Sequence, residues 1–128
     1  MNELTTETID ALLEFLFRGG EFPPPGTVYV ALYLNEGATQ EVQGGGYVRR
    51  QATFTAPVAS PDGRRVDNAT FIEWPTAAAN WGTVVSAGVT DATTGGRQLG
   101  VAQLPTPRTI NFRDIMRVNQ GDLRVFLK

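Results

Sequence analysis

The sequence contains no cysteine and no histidine. The first absence excludes a disulfide framework, a thiolate metal site and a cysteine nucleophile. With the second, the usual zinc centres, the Ser-His-Asp and Cys-His systems and the commonest general base near neutral pH are also gone. An excess of one charge is missing as well. The formal charge is -2, with acids and bases spread along the chain, so neither nucleic acid nor an anionic membrane is an expected partner. Long apolar runs are lacking too. The longest helix-like stretch, Ala11 to Phe17, is interrupted by Glu14 and far too short to span a bilayer, and it has neither the basic start nor the cleavage site of a signal peptide. The expectation is a protein made and used without membrane passage.

What remains is an ordinary globular composition, 41% hydrophobic and 19% charged over 128 residues, enough for one domain around one core. Within that domain, residues 1–20 are expected to hold a helix, 21–26 a proline-rich connector and 27–128 a β-domain. From Thr5 to Arg18, Ile9, Leu12, Leu13, Leu16 and Phe17 recur at amphipathic-helix spacing. Thr5 or Thr6 suits the cap, Glu7 and Asp10 the positive end of the dipole, and Gly19-Gly20 the stop. Ala11 and Phe15 fall away from the main stripe, leaving only a narrow polar arc of Glu7, Asp10, Glu14 and Arg18. A helix with so small a wet arc has two surfaces to cover, its own domain and a neighbour; the plainer alternative is a partly exposed Phe15.

Pro23-Pro24-Pro25-Gly26 reads as a stiff extended connector. After it the period is that of strands: Thr27 to Leu34, Tyr47 to Ala56, Val66 to Trp74, Trp81 to Thr90, Gln98 to Leu104, Arg108 to Val118 and Leu123 to Leu127. Asn35 to Gly46 reads as a mobile loop. Turns are expected at Ser60-Pro61-Asp62-Gly63 and Asn119 to Asp122, and a hairpin connection at Asp91 to Gly96. Pro105 and Pro107 are expected to break the pairing before the closing hairpin. About seven strands without intervening helices point to an all-β antiparallel β-sandwich with one short N-terminal α-helix.

Several motifs invite chemistry, and each has a plainer reading. Gly44-Gly45-Gly46 lacks the Gly-Lys-Ser/Thr and the following helix of a phosphate loop, so a loop ordered by a neighbouring subunit is the better account. The carboxylates fall mostly in loops and at strand ends, so no glycosidase pair is assigned. Asp91 with Thr93 and Thr94 is a turn before it is a calcium site. Trp74, Trp81 and the tyrosines form either a sugar-stacking platform or the cover of the core, the second being favoured. Asn68-Ala69-Thr70 spells a glycosylation acceptor, which matters only in a secretory compartment.

From Thr27 onward the chain resembles a family of small tailed-bacteriophage structural proteins, described as tail fibre or virion-associated proteins. The resemblance rests on Val28-Tyr29-Val30-Ala31-Leu32-Tyr33, on Glu41 to Gln51 with its three glycines, and on Phe71 and Pro75. It continues through Ala77-Ala78-Ala79-Asn80-Trp81-Gly82-Thr83-Val84, Gly88 to Gly96 and Pro105 to Asn111. The helix and proline connector are similar as well. Arg113-Asp114 departs from the pattern, which would have a glycine before the aspartate, and so does the charged end with Arg117, Arg124 and Lys128. The resemblance implies a non-enzymatic, homo-oligomeric virion part without cofactor or metal, assembled in the host bacterial cytoplasm. It would decorate the capsid or form part of the tail apparatus, with other virion proteins and copies of itself as partners; a receptor- or carbohydrate-binding module is the alternative. The residues expected at the interface are Leu12, Phe15, Leu16, Phe17, Gly44, Gly45, Gly46 and Tyr47.

Overall fold

The computed structural model describes residues 3–22, 26–61 and 63–127. Pro23 to Pro25 of the expected connector, Asp62 of the expected turn and Lys128 of the charged end lie outside the described residues. As the sequence predicts, the chain is all-β with one amino-terminal helix. Its elements run β1 (Glu3–Leu4), α1 (Thr6–Arg18), β2 (Val28–Tyr33), β3 (Arg50–Ala52), β4 (Val58–Ser60) and β5 (Gly63–Asp67). There follow β6 (Ile72–Glu73), β7 (Gly82–Thr90), β8 (Gln98–Ile110), β9 (Arg117–Val118) and β10 (Arg124–Leu127).

The two packed layers expected of a sandwich arise from the curling of one sheet. Eight strands pair in the order β3-β2-β7-β8-β1-β10-β5-β4, and β6 with β9 form a separate ribbon. Beyond β3 the chain meets the end of β5, through a Phe54–Asn68 bridge and the bonds Thr55 N–H to Asp67 O and Ala69 N–H to Thr53 O, both 2.8 Å. The sheet therefore closes on itself, which removes most of its exposed edge. Strand β1 is only two residues long, yet it joins the halves, antiparallel to β8 and parallel to β10.

Alternation sorts the side chains. Val30, Leu32, Ala52, Ala87 and Ala102 point inward from the sheet, and Trp74, Met116, Val118 and Leu123 fill one end of the interior beneath the ribbon. On the outer face a smaller cluster of Ala31, Tyr33 and Ala38 forms where the 34–41 segment folds back. That segment is fastened rather than loose. Leu34 N–H donates to Gln40 O at 2.8 Å, Asn35 Oδ1 accepts from the N–H groups of Thr39 and Gln40 at 3.0 Å, and Ser86 Oγ donates to Asn35 O at 2.7 Å. The expected mobile loop is corrected accordingly, because polar side chains within and around it satisfy its backbone.

Further corrections concern the carboxyl-terminal third. Strand β8 runs through Pro105 and Pro107 instead of ending before them. The register between β7 and β8 shifts between Val84 and Ser86, which pair with Arg108 and Gln103. The prolines fall in that irregularity, where a missing N–H removes no ladder bond. The expected closing hairpin does not form: β9 pairs with β6, and β10 pairs with β5 and β1. Trp74 and Trp81, 2% and 4% exposed, belong to the core.

Candidate assembly interface

Helix α1 begins where its sequence says it should. Thr5 is extended (φ -68°, ψ 155°), and its side chain accepts the Thr8 N–H, while its hydroxyl donates to Gln98 O at 2.7 Å. The Thr5 N–H also reaches Leu99 O at 2.9 Å. One residue thus caps the helix and ties it to the start of β8. At the other end Gly19 is left-handed, φ 74°. Phe22 then returns against Phe15, ring centroids 6.4 Å apart, with the Arg97 guanidinium 5.6 Å from the Phe22 ring.

This anchoring decides which face is covered. Thr8 is buried and Ile9, Ala11 and Leu12 are half-buried, so the first two turns face the domain, while Phe15 is 48% exposed. The carboxyl-terminal part of the main apolar stripe turns to solvent instead: Leu13, Leu16 and Phe17 are 49%, 58% and 78% exposed. Full burial of such a side chain contributes roughly 1.5–3 kcal/mol, and each of these forgoes the exposed share of it. Of the residues expected at the interface, Leu16 and Phe17 lie fully on this patch, Phe15 sits at its margin beside Phe22, and Leu12 belongs mainly to the domain contact.

The glycine loop has a different character. Gly44, Gly45 and Gly46 all have positive φ, and a Cβ on Gly45 would stand 2.8 Å from Trp81 Nε1. That nitrogen donates to Gly45 O at 2.9 Å, so the loop is a lid over the indole and only glycine fits beneath it. Tyr47 turns inward, edge-on to Trp81, and Val48 outward. The Tyr47 hydroxyl accepts the Leu32 N–H at 2.9 Å and donates to Glu41 Oε2 at 2.7 Å.

Arg49 completes the arrangement. Its side chain, 8% exposed, grips both Glu41 oxygens at 2.9 and 3.0 Å and donates through Nη1 to Ala92 O and Gly95 O at 2.9 and 2.8 Å. The fork geometry suits this role, since one planar cation holds a carboxylate on one edge and a turn on the other. Arg49 thus ties the segment after the glycine loop to the 91–96 turn, and Arg97, the residue after that turn, meets Phe22 beyond the helix. Asp91 is spent inside that turn, its Oδ1 accepting the Arg97 N–H at 2.7 Å.

Burial alone would push the Glu41 carboxyl up, but its hydrogen bonds to Arg49 and Tyr47 outweigh this and hold it below the ordinary carboxylate range. Burial, with the Glu41 bond, pushes the Tyr47 phenol well up. A carboxyl lowered in the folded state contributes stability above its unfolded pKa, and that stability is lost as pH falls through the folded value; a raised phenol loses its contribution as pH rises past its unfolded value. Thermal unfolding across pH is therefore expected to weaken below about 4.5 and again above about 10, with Glu41→Gln flattening the acid limb. An acid limb unchanged in that variant would contradict the assignment.

Asn68 is fully buried, and its side chain is committed to Thr70 O, Asn119 O and the Leu123 N–H. The acceptor motif at 68–70 is therefore a core turn. Sequence reasoning also missed an exposed apolar face on the ribbon. Phe71 and Ile115 are each 52% exposed, and Phe112, in the turn before β9, is 54% exposed. The signal was present as apolar residues in both phases, Phe71 and Ile72 where β6 begins, Ile115 and Met116 just ahead of β9.

The arrangement is that of a scaffold with sticky patches. Residues 3–126 match the protein family described as Podophage GP4 fiber I protein gp80. The chain belongs to that family. It is a structural protein of the tailed-phage fibre apparatus, placed in the virion and associated there with other virion components. No curated protein matches the chain. In this member of the gp80 fibre family the buried Trp74 and Trp81 leave no exposed indole for stacking a sugar.

Proposed function

We propose that the protein is a non-enzymatic, repeated subunit of the fibre, the whole chain working as one unit assembled in the host cytoplasm, and that it attaches to its neighbours through α1. The observation that carries this is the exposed stripe of Leu13, Leu16 and Phe17 on a helix firmly anchored at its first turn. Attachment by many copies lets individually weak contacts add. Arg49 and Glu41 are consumed by their mutual bond and by holding the 91–96 turn, which favours a structural role for them over catalysis. Nucleic acid has no part in this reading.

The test is a Leu16→Ser, Phe17→Ser double variant supplied in place of the wild-type chain during phage growth. Exposed substitutions of this kind leave stability within about 0.5 kcal/mol. Purified particles are expected to lack the subunit while the isolated variant melts like the wild type; normal occupancy in the particle would overturn the proposal.

A further inference from the structure

The α1 stripe has a complement elsewhere on the same chain. The ribbon carries Phe71, Glu73, Ile115 and Arg117 on its outer side, opposite in phase to the buried Ile72, Trp74, Met116 and Val118. Phe112 and Arg113 lie next to Ile115 in the preceding turn. The Arg117 guanidinium stands 4.1 Å from the Phe71 ring centroid and that of Arg113 5.0 Å from the Phe112 ring. The face is thus aromatic and arginine-rich, the composition of the well-packed centres of protein interfaces.

The charges of the two patches are opposed. Although the whole chain is nearly neutral, residues 1–48 hold seven carboxylates and one arginine, a net -6, while residues 49–128 hold six carboxylates and ten basic side chains, a net +4. The uneven split between residues 1–48 and 49–128 revises the even spread of charge expected at first. On α1, Asp10 and Glu14 border the exposed stripe at helical spacing, and neither Glu7 nor Asp10 has an ion pair among the described residues. On the ribbon side, Arg108 and Arg113 likewise have no carboxylate partner among the described residues.

One copy cannot close this contact on itself. Both ends of the helical segment are held at the Gln98 end of β8, Thr5 on Leu99 and Phe22 on Arg97. The ribbon and its turn follow Ile110, at the far end of a 13-residue strand that is roughly 40 Å long at the usual rise. An apolar, acid-edged helix at one end and an apolar, arginine-edged face at the other fit successive copies placed head to tail.

We infer that the α1 stripe of one copy docks on the Phe71, Phe112 and Ile115 face of a second copy of this chain. The inference rests on the fibre-subunit reading above and names its partner. Because the two patches differ, the contact is heterologous, and its repetition builds a ring or a filament instead of stopping at a dimer.

The test uses two full-length variants in sedimentation velocity at rising concentration: Phe17→Ser with Asp10→Arg, spoiling the helix face, and Phe112→Ser with Arg113→Glu, spoiling the ribbon face. Wild type is expected to form species beyond the dimer that dissociate as salt is raised. Each variant alone is expected to stay monomeric, and an equimolar mixture to give a dimer that goes no further, since each member supplies the face the other lacks. Circular dichroism and melting confirm that both remain folded. Self-association of the ribbon variant alone would show helix-to-helix pairing and overturn the inference. A wild type that is monomeric throughout would also overturn it; the fibre-subunit reading would survive in that case if the Leu16→Ser, Phe17→Ser chain were still absent from particles.

Discussion

Replacing Asn68 with alanine is expected to cost about 3–5 kcal/mol of stability, a large part of what a domain of this size possesses. Its amide donates to Thr70 O at 2.8 Å and to Asn119 O at 3.0 Å, and its oxygen accepts the Leu123 N–H at 2.9 Å. Alanine leaves two carbonyls and one N–H without these partners where Asn68 itself is wholly buried. Stranding a buried polar group costs about 1–3 kcal/mol, so three such groups with partial relaxation give the quoted range. The backbone of Asn68 also pairs with Leu123 O and the Gly121 N–H, so the loss falls on the turn that aims β10 at β5. Asn68→Asp offers no rescue, because an oxygen would then face the Thr70 and Asn119 carbonyls. Urea unfolding reads the effect, and a loss under about 1 kcal/mol would show that the side-chain bonds are dispensable.

Arg49→Ala is expected to be comparably severe, at about 3–5 kcal/mol. The substitution strands the Glu41 carboxylate beside the Tyr47 hydroxyl and releases the carbonyls of Ala92 and Gly95. Lysine is expected to recover little, since a single ammonium cannot hold both Glu41 oxygens and the 91–96 turn together. Most of the cost is the uncompensated carboxylate, so Glu41→Gln in the Arg49→Ala background should lose much less than the sum of the two single changes. Strict additivity in that cycle would contradict the direct coupling of Arg49 to Glu41.

These residues also show how far the sequence could be read. The Thr5 cap, the Gly19 stop and the strands at 28–33, 82–90 and 124–127 were legible because each rests on local chemistry or on a period repeated several times. Strand β1 was not, since two residues make no period and its pairing is set by β8 and β10, close to the other end of the sequence. Tertiary context overrode local signals at Pro105 and Pro107, absorbed by an irregular register. The glycine loop was visible as glycine but not as a lid, because the indole that demands Gly45 comes from Trp81. At the interface the stripe on α1 was plain in the spacing. Which of its two sides faces water was not, because the tie from Thr5 to Gln98 and Leu99 fixes the rotation of the helix.

The central claim is that the exposed side of α1 exists to be covered in the particle. Cryo-electron microscopy of the intact virion, at a resolution that shows side chains, tests it most directly. The account predicts Leu13, Leu16 and Phe17 packed against a neighbouring subunit, with the first turn of the helix still tied to Leu99. An α1 whose stripe faces open solvent in every copy of the assembled fibre would contradict it.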